Sequence, residues 1–229
     1  MDKTKRIIIS LGGSLIVGDE VRVAFLKSFR DFIVKKIDEG FTFGLFVGGG
    51  RTARNYVSGL SELRHVSNDE KDWLGIYATR LNAQLVKTMF GELAYEEIIT
   101  DPTVVPITDK PIIVGAGWKP GWSTDYPPVE FAVQNQISEV INLSNIDYVY
   151  SDDPKVNPEA VKLEDVSWEE YWKIIPETWT PGMHAPFDPI ASKKAGENGI
   201  TVSAINGEKL EELDKCLHGE SFLGTKMHP

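Results

Sequence analysis

The sequence predicts an α/β fold in which a mainly parallel sheet lies between two layers of helices. Four short apolar runs each lead into a glycine-rich or polar loop, and helical patterns follow. Strands that alternate with helices are typical of parallel sheets buried on both faces. The chain has 229 residues, 41% of them hydrophobic, which is enough for one domain with a complete core. We therefore expect residues 1–229 to form a single three-layer αβα sandwich.

The apolar runs are the predicted strands, and the segments with helical periodicity connect them. Strands are predicted at 7–11, 41–47, 111–114, 140–143 and 200–204. Helices are predicted at 21–38, 51–63, 70–90, 127–138, 188–198 and 209–217. Residues 151–183 are rich in Pro, Trp and Glu and show no clear period, so we expect a turn-rich excursion at one end of the sheet.

The charge balance and the single cysteine exclude several classes of function. A formal net charge of -10 disfavours binding to a nucleic-acid backbone. A phosphate-bearing ligand must then be held by backbone N–H groups and a few cations. Cys216 is the only cysteine, so the chain can form neither an internal disulfide nor a cysteine-based zinc site. We expect a buried or bystander thiol.

The beginning of the chain does not resemble a targeting signal. Its first apolar run, at 7–11, ends at glycines after five residues, which is strand length. No apolar stretch is long enough to span a bilayer. We expect a cytoplasmic protein without a membrane partner.

Three loops after predicted strands have the composition of phosphate-binding loops. Gly12-Gly13-Ser14 and Gly48-Gly49-Gly50 each precede a helix, and a third glycine-containing loop covers 115–124. Glycine lets anions approach backbone N–H groups, and a helix N-terminus adds partial positive charge. A tight turn explains either glycine loop alone about equally well. Together, at the carboxyl ends of parallel strands, the loops indicate a ligand with several phosphate groups.

Two arginines follow the triple glycine. Arg51 and Arg54 would lie in the first turns of a helix, where both could face the loop. A cation at a helix N-terminus opposes the dipole, so an anionic ligand would give Arg54 a role. A solvent-exposed helix face is the alternative.

Other nucleotide-binding and catalytic motifs are absent or incomplete. Residues 48–53 match G-x-G-x-x-A, but no strand ending in an acidic residue follows about 20 residues later, as a dinucleotide site requires. The P-loop pattern and the G-x-S-x-G elbow do not occur. The four histidines are scattered, without metal-ligand spacing.

Six segments, in this order and spacing, resemble the archaeal-type UMP kinases of the amino-acid kinase family. Residues 72–82 and 120–125 carry the most specific part of the resemblance. The segments are IIISLGGSLIV at 7–17, FVGGGRTARNYV at 46–57, DWLGIYATRLNAQLV at 72–86, PGWSTD at 120–125, LSNIDYVYSDDPKVNP at 143–158 and FDPIASKKA at 187–195.

The resemblance implies phosphoryl transfer from ATP to UMP, with an acceptor-binding N-terminal half and an ATP-binding C-terminal half. It implies that Mg²⁺ bridges the ATP phosphates and that the chain forms a homohexamer. The implied catalytic residues are Asp125, Asp188 and Arg54. The implied UMP-binding residues are Gly49, Asp72, Trp118, Lys119, Pro120, Gly121, Trp122, Ser123 and Thr124, and the implied ATP-binding residues are Gly13, Ser14, Gly50, Arg54, Ser144, Tyr150 and Asp153.

The chain departs from the family pattern at several positions. Ser10 and Ser14 stand where many members carry lysines, so the cation that neutralises the transferred phosphate is not identified by the resemblance. Tyr148 replaces a usual glycine, and Tyr126-Pro127-Pro128 replaces small residues at the start of a helix. We interpret Tyr126 as a packing residue. Trp118 and Trp122 could stack on a base or cover the core.

Two other functions remain open from the sequence. One is a different small-molecule kinase of the same fold. The other is a non-catalytic nucleotide- or oxyanion-binding protein similar to the molybdenum-storage relatives. Asp72 favours a nucleotide acceptor over the acceptors of other kinases of this fold. A carboxylate that binds ribose has no role toward an acceptor without vicinal hydroxyls.

Overall fold

A computed structural model gives the structure of the protein, and it describes residues 6–176 and 185–229. Ten strands occur in these residues: β1 (Ile7–Leu11), β2 (Phe43–Val47), β3 (Ala94–Ile99), β4 (Ile112–Gly115), β5 (Glu139–Ser144), β6 (Val149–Tyr150), β7 (Lys162–Leu163), β8 (Asp165–Ser167), β9 (Thr201–Asn206) and β10 (Thr225–His228). Eight α-helices accompany them: α1 (Gly13–Ile16), α2 (Val23–Asp38), α3 (Gly50–Leu63), α4 (Asn68–Phe90), α5 (Tyr126–Gln134), α6 (Trp168–Ile174), α7 (Pro189–Glu197) and α8 (Leu210–Leu217).

The central sheet has eight strands in the order β3-β4-β2-β1-β5-β9-β10-β8. All its neighbouring strands are parallel except β10 and β9, which are antiparallel. The predicted α/β fold with a mainly parallel sheet is therefore confirmed. Since β4, β2, β1 and β5 are adjacent and parallel, the loops at their carboxyl ends lie side by side at one edge.

The two faces of the sheet carry separate apolar cores, as three layers require. Ile7, Ile9 and Leu11 of β1 pack with α1, α2, α4 and α8, whereas Ile8 packs with α5, α6 and α7. This division follows from the alternation of side chains along a strand. Cys216 is buried in the first core, in agreement with the prediction of a buried thiol.

Several element boundaries differ from the prediction. The helix predicted at 127–138 ends at Gln134, because Gln136 adopts a positive φ of 54° and β5 begins at Glu139. Strand β3 was not predicted, since its central Glu96 and Glu97 are polar and exposed at the sheet edge.

The region predicted as a turn-rich excursion has more regular structure than expected. Strands β6 and β7 pair as a small second sheet, β8 joins the central sheet, and a capping box at Ser167 and Glu170 begins α6. The expectation of a mere excursion is wrong for 162–174. Residues 177–183 of that prediction lie outside the described residues. In the described part of the chain, no helix is both long and apolar enough to cross a membrane.

Candidate functional site

A cleft of about 430 Å³ opens at the carboxyl edge of the sheet, between α3 and α4 on one side and the loop after β4 on the other. A cavity of this size matches the usual volume of small-molecule sites. Nine residues that the sequence singled out line it: Gly49, Gly50, Arg54, Asp72, Trp122, Ser123, Thr124, Asp125 and Asp188.

The first two glycine loops meet backbone to backbone at one end of this cleft. A Cβ on Gly13 would lie 2.0 Å from the nitrogen of Gly50, and a Cβ on Gly48 would lie 2.6 Å from the nitrogen of Gly13. Gly50 also has a φ of +60°, a conformation that favours glycine. The glycines are therefore required by this contact itself, in addition to any ligand.

Helix α4 fixes the loops on both sides of the cleft through three polar side chains. Asn82 Nδ2 donates to the carbonyl oxygens of Gly48 and Gly49, at 2.9 Å and 3.1 Å. Thr79 Oγ1 accepts from the nitrogen of Gly117 at 2.8 Å. Thr79 and Asn82 are buried, so their loss would leave backbone groups without partners.

Asp72 makes the third of these contacts, near the mouth of the cleft. Its Oδ2 accepts from the nitrogen of Gly121 at 2.8 Å, and Gly121 has a φ of +87° in the turn that follows Pro120. Burial raises the pKa of Asp72, although the bond from Gly121 opposes that shift. Asp72 thus holds the loop 116–124 to α4 and presents a carboxylate to the cleft.

The aromatic residues of this loop form a stack on Tyr126. The ring centroids of Trp122 and Tyr126 are 3.9 Å apart, and those of Trp118 and Tyr126 are 6.2 Å apart and nearly parallel. Both tryptophans pack against the second core, and Trp122 also lines the cleft. Lys119 places its ammonium 3.9 Å from the ring centroid of Trp118.

Of the two readings that the sequence left open for the tryptophans, core packing therefore applies to both, and Trp122 in addition has access to the cleft. Trp118, Lys119, Pro120 and Gly121 support the loop from outside the cleft wall. Tyr126 is buried, and its hydroxyl donates to Glu130 at 3.0 Å, which agrees with a packing role.

Two carboxylates meet at the floor of the cleft, at the beginnings of α5 and α7. The nitrogen of Asp188 donates to Asp125 Oδ2 at 3.1 Å, and Ser10 Oγ lies 3.5 Å from Asp125 Oδ1. Asp188 caps α7, since its Oδ1 accepts from the nitrogen of Ala191 at 2.7 Å. These contacts bring Asp125 and Asp188, predicted separately, into one pair.

Burial raises the pKa of Asp125 to about 7, and the negative charge of Asp188 adds to the shift. Burial also raises the pKa of Asp188, although the backbone bond from Ala191 and the Ser123 hydroxyl oppose it. Two carboxylates this close cannot both ionise without cost unless a cation or a proton compensates them.

The two arginines after the triple glycine point in different directions. Arg54 lines the cleft and is exposed to it. Arg51 instead forms an ion pair with Asp19 at 3.3 Å, and its nitrogen donates to the carbonyl of Val17. The expectation that both arginines could face the glycine loop is therefore not met by Arg51. The helix turns its side chain toward the segment after β1.

The residues predicted for ATP lie on the opposite side of the glycine contact. Gly13 and Ser14 begin α1, and the nitrogen of Gly12 donates to Leu143 at the end of β5. Ser144 follows directly, Tyr150 lies in β6, and Asp153 is exposed in a turn where it accepts from the nitrogen of Lys155 at 2.9 Å. Ser14, Ser144 and Tyr150 are half-buried, and Asp153 is exposed.

Sequence reasoning did not single out Lys71, Thr79 and Asn82 as site residues, and it noted Ser10 only as a departure from the family pattern. Lys71 and Thr79 line the cleft, and Asn82 and Ser10 contact residues that do. The spacing of Asp72, Thr79 and Asn82 could have revealed the last two, because residues 7 and 3 positions apart lie on one side of a helix. No spacing signal connected Ser10 with Asp125. In the described residues, no three His, Cys, Asp or Glu side chains group as a metal site.

Comparison with known proteins shows which family the chain resembles along most of its length. The model of the amino acid kinase family matches residues 5–206. The uridylate kinase of Pyrococcus abyssi is 32% identical over 227 residues, which cover 98% of this chain and 100% of that protein. The uridylate kinase of Pyrobaculum neutrophilum is 30% identical, covering 96% of this chain and 98% of that protein.

Solved structures agree in fold. The uridylate kinase of Archaeoglobus fulgidus superposes with a TM-score of 0.81 and 28% identity, covering 97% of this chain and 100% of that one. The UMP kinase of Bacillus anthracis superposes with a TM-score of 0.78 and covers 98% of this chain and 96% of that one. Its identity is only 18%, so it shows the fold alone.

Proposed function

This chain belongs to the amino acid kinase family, and we propose that it transfers the terminal phosphate of ATP to UMP, giving UDP and ADP in pyrimidine nucleotide synthesis. The observation that carries the proposal is the cleft between α4 and the loop 116–124. It places a carboxylate, Asp72, at one end and the glycine contact at the other, within a protein whose full-length relatives are uridylate kinases.

In this proposal, UMP occupies the cleft. Asp72 accepts hydrogen bonds from the ribose hydroxyls, and Trp118, Lys119, Pro120, Gly121, Trp122, Ser123 and Thr124 form the loop around the uridine and its phosphate. Gly49 contacts that phosphate through its backbone. Gly13, Ser14 and Gly50 face the ATP phosphates, and Ser144, Tyr150 and Asp153 face the adenosine. The N-terminal half would then bind the acceptor and the C-terminal half the donor.

Phosphoryl transfer requires mainly that the protein position the two phosphate groups. An oxygen of the UMP phosphate is already a nucleophile at neutral pH, so a strong general base is not required. Holding two phosphates in line and neutralising charge supply most of the rate of phosphoryl transfer. Arg54 reaches the cleft beside Gly50 and would neutralise charge on the transferred group.

Mg²⁺ is the expected cofactor, together with ATP. It would be held largely by phosphates and water and would neutralise the phosphate charge, and Asp125 and Asp188 are carboxylates of the type that bind or orient such an ion. Ser10 and Ser14 place hydroxyl groups at the two positions where many family members carry lysine ammonium groups. Among the described residues, Asp125 and Asp188 form no ion pair with any basic side chain. The carboxylate pair is thus compatible with a metal ion.

We further propose that the protein is cytoplasmic and acts as a homo-oligomer, a hexamer by its resemblance. An exposed row on α4 supports assembly: Trp73, Tyr77 and Leu81 are 41%, 60% and 64% exposed on the side of the helix away from the cleft. Apolar rows of this kind mark association surfaces. Sedimentation of the Leu81→Glu variant would show smaller particles if the row is an interface.

An assay of ADP release with a panel of acceptors tests the activity. We expect strong turnover with UMP. The kcat/KM values with CMP, AMP, acetylglutamate and isopentenyl phosphate should be lower by a factor of at least about 100. Equal turnover across the panel, or none with UMP, would remove the proposal.

The role of Asp72 has its own test. Asp72→Ala should raise the KM for UMP about 10- to 100-fold, because a charged hydrogen bond contributes about 1.5–3 kcal/mol, and should leave the KM for ATP unchanged. Asp69→Ala, an exposed acidic residue of the same helix turn, is the matched control. A parallel rise in both KM values would contradict a role specific to the acceptor.

A further inference from the structure

A buried polar network joins α5 and α7, the two helices at whose beginnings the carboxylate pair lies. Glu130, in the middle of α5, is only 5% exposed. Its Oε2 accepts from the Tyr126 hydroxyl at 3.0 Å and lies 3.0 Å from Lys194 Nζ of α7. Its Oε1 accepts from Gln134 Nε2 at 2.8 Å. A charge at this depth is costly unless its partners replace the lost water, so Glu130 depends on these three donors.

The protonation states in this network are fixed near neutral pH. Burial by itself would raise the pKa of Glu130, but the hydrogen bonds from Gln134, Lys194 and Tyr126 hold that pKa below its ordinary value. Burial, together with the bond to Glu130, raises the pKa of Tyr126 to about 12. Tyr126 therefore keeps its proton and donates it to an ionised carboxylate. Such a charge-assisted bond is stronger than one between neutral groups, and it holds the Tyr126 ring in one position.

The ring held by this bond supports the aromatic side of the cleft. Its centroid lies 3.9 Å from that of Trp122 and 6.2 Å from that of Trp118. Trp122 lines the cleft, whereas Tyr126 lies behind it in the second core. Rings packed this closely cannot move independently, because interiors leave no free volume between them. A shift of the Tyr126 ring would therefore shift the wall that a ligand touches.

The same network also controls how α5 meets α7. The two helices begin directly after Asp125 and Asp188, respectively. The nitrogen of Asp188 donates to Asp125 Oδ2 at 3.1 Å, and the pair of Glu130 with Lys194 joins the helices again farther along. Two contacts at different heights restrict both the distance and the rotation between the helices. The aromatic wall and the carboxylate pair are thus held in a fixed relation to each other.

We propose that Tyr126 is a positioning residue for the acceptor: its hydroxyl, bound to the Glu130–Lys194 pair, fixes the aromatic wall of the cleft relative to the carboxylate pair. The proposal deepens the proposed function and rests on it in one respect, namely that the cleft holds the acceptor. Tyr126 acts through Trp122 and does not touch the ligand. Because a displacement of about 1 Å in a bound reactant can cost about 100-fold in rate, a residue behind the wall can control turnover.

Hydrogen–deuterium exchange of the ligand-free full chain measures the wall directly. The amides of Gly117 and Gly121 are hydrogen-bonded to side chains of α4, so their exchange reports opening of the loop 116–124. Tyr126→Phe keeps the ring and removes only the hydroxyl. We expect peptides of this loop to exchange about five- to tenfold faster in the variant. The KM for UMP should rise about five- to tenfold, and the KM for ATP should stay within about twofold.

Glu212→Gln is the matched control for Glu130→Gln, because both remove the charge of a buried glutamate that pairs with a lysine. Glu212 is 4% exposed and its Oε1 lies 2.8 Å from Lys215 Nζ, but it belongs to α8 on the other face of the sheet. Both variants should lower the melting temperature. Only Glu130→Gln should speed exchange in the loop 116–124 and raise the KM for UMP. If Glu130→Gln does not fold, Tyr126→Phe still decides the question.

A purely structural role of the Tyr126 hydroxyl predicts a different result. Tyr126→Phe would then lower the melting temperature and leave loop exchange and the KM for UMP as they are in the wild type. Either unchanged exchange or an unchanged KM for UMP would overturn the positioning role. If the wild type itself shows no turnover with UMP, the proposed function fails, whereas the exchange of the ligand-free variant still decides whether Tyr126 supports the wall.

Discussion

The cleft proposed for the acceptor and the region proposed for the donor, called here the acceptor cleft and the donor surface, are built differently, although one backbone contact joins them. The cleft is walled by two helices and a loop, and buried Thr79 and Asn82 fix its backbone. The donor surface runs over open loops, where Asp153 is exposed and hydrogen-bonded only to its own turn. We infer that the acceptor is selected by a preformed shape, whereas the donor is held mainly through its phosphates.

The largest effect is expected from a substitution at the glycine contact, because this contact joins the two regions. Gly50→Ala would place a Cβ 2.3 Å from the Gly13 carbonyl oxygen at a positive φ, and it should destabilise the protein by about 3–5 kcal/mol. We expect the melting temperature to fall by about 10 °C or more, with both ligands lost.

Gly59→Ala is the matched control on the same helix. No heavy atom lies within 4 Å of its added Cβ, so helix propensity should stabilise the protein by up to about 1 kcal/mol. Equal melting temperatures for the two variants would show that the loops can separate without cost.

Arg54 lies where the two regions meet, so its removal should affect catalysis more than folding. Arg54→Ala should lower kcat roughly 100- to 1000-fold, the usual loss when one preorganised charge donor is removed from a transferring group. Arg51→Ala removes a neighbouring arginine that pairs with Asp19 instead, so its kcat should change less than about twofold. Similar losses in both variants would mean that Arg54 acts through the general charge of the helix.

The contribution of Asp125, at the floor of the cleft, to the stability of the protein should depend on pH. The folded pKa of Asp125, about 7, lies above its unfolded value of 3.8, so the folded state keeps a proton that the unfolded chain loses. Stability therefore declines as pH rises between about 4 and 7 and stays lower above that range. The full shift corresponds to about 4 kcal/mol, but Asp125 is partly exposed, so we expect about 1–2 kcal/mol.

Urea unfolding of metal-free wild type and Asp125→Asn at pH 5.5 and pH 8 measures this effect. The variant should gain stability relative to the wild type at pH 8, because it removes a negative charge beside Asp188. If the difference in free energy of unfolding between the variant and the wild type is the same at both pH values, the pKa of Asp125 is not raised in the folded state.

The donor surface should give the smallest effect. Asp153→Ala removes an exposed side chain whose contribution to binding should be about 0.5–1 kcal/mol, which raises the KM for ATP about two- to fivefold. The KM for UMP and the melting temperature should not change. A loss as large as that of Asp72→Ala would indicate that the donor surface is as strongly preformed as the cleft.

The sequence predicted the fold and the edge of the sheet that carries the site, because both follow from local patterns. Apolar runs ending in glycine predicted β1, β2 and β4 to within two residues at each end. Long-range contacts were beyond such patterns. Strand β3 has exposed glutamates, and β8 and β10 are short strands that are recognised only once they pair with each other.

The same distinction applies to the candidate site. Gly49, Asp72 and Asp188 carry family patterns that a sequence displays, and their proposed roles await the experiments above. The contact of Ser10 with Asp125 joins residues 115 positions apart, and the direction of Arg51 depends on Asp19 in a loop. Neither could be predicted from spacing, because both depend on how separate elements pack.

The meeting of Gly13 and Gly50 has a consequence for how far apart the two loops can be. Each residue occupies the space that a side chain of the other would fill, so the two loops touch through backbone atoms, with no side chain between them. Covalent geometry and atomic radii set their separation, and thermal motion of side chains cannot lengthen it. Substitutions elsewhere in the molecule can therefore reshape either ligand's surroundings while the span between the two loops stays constant.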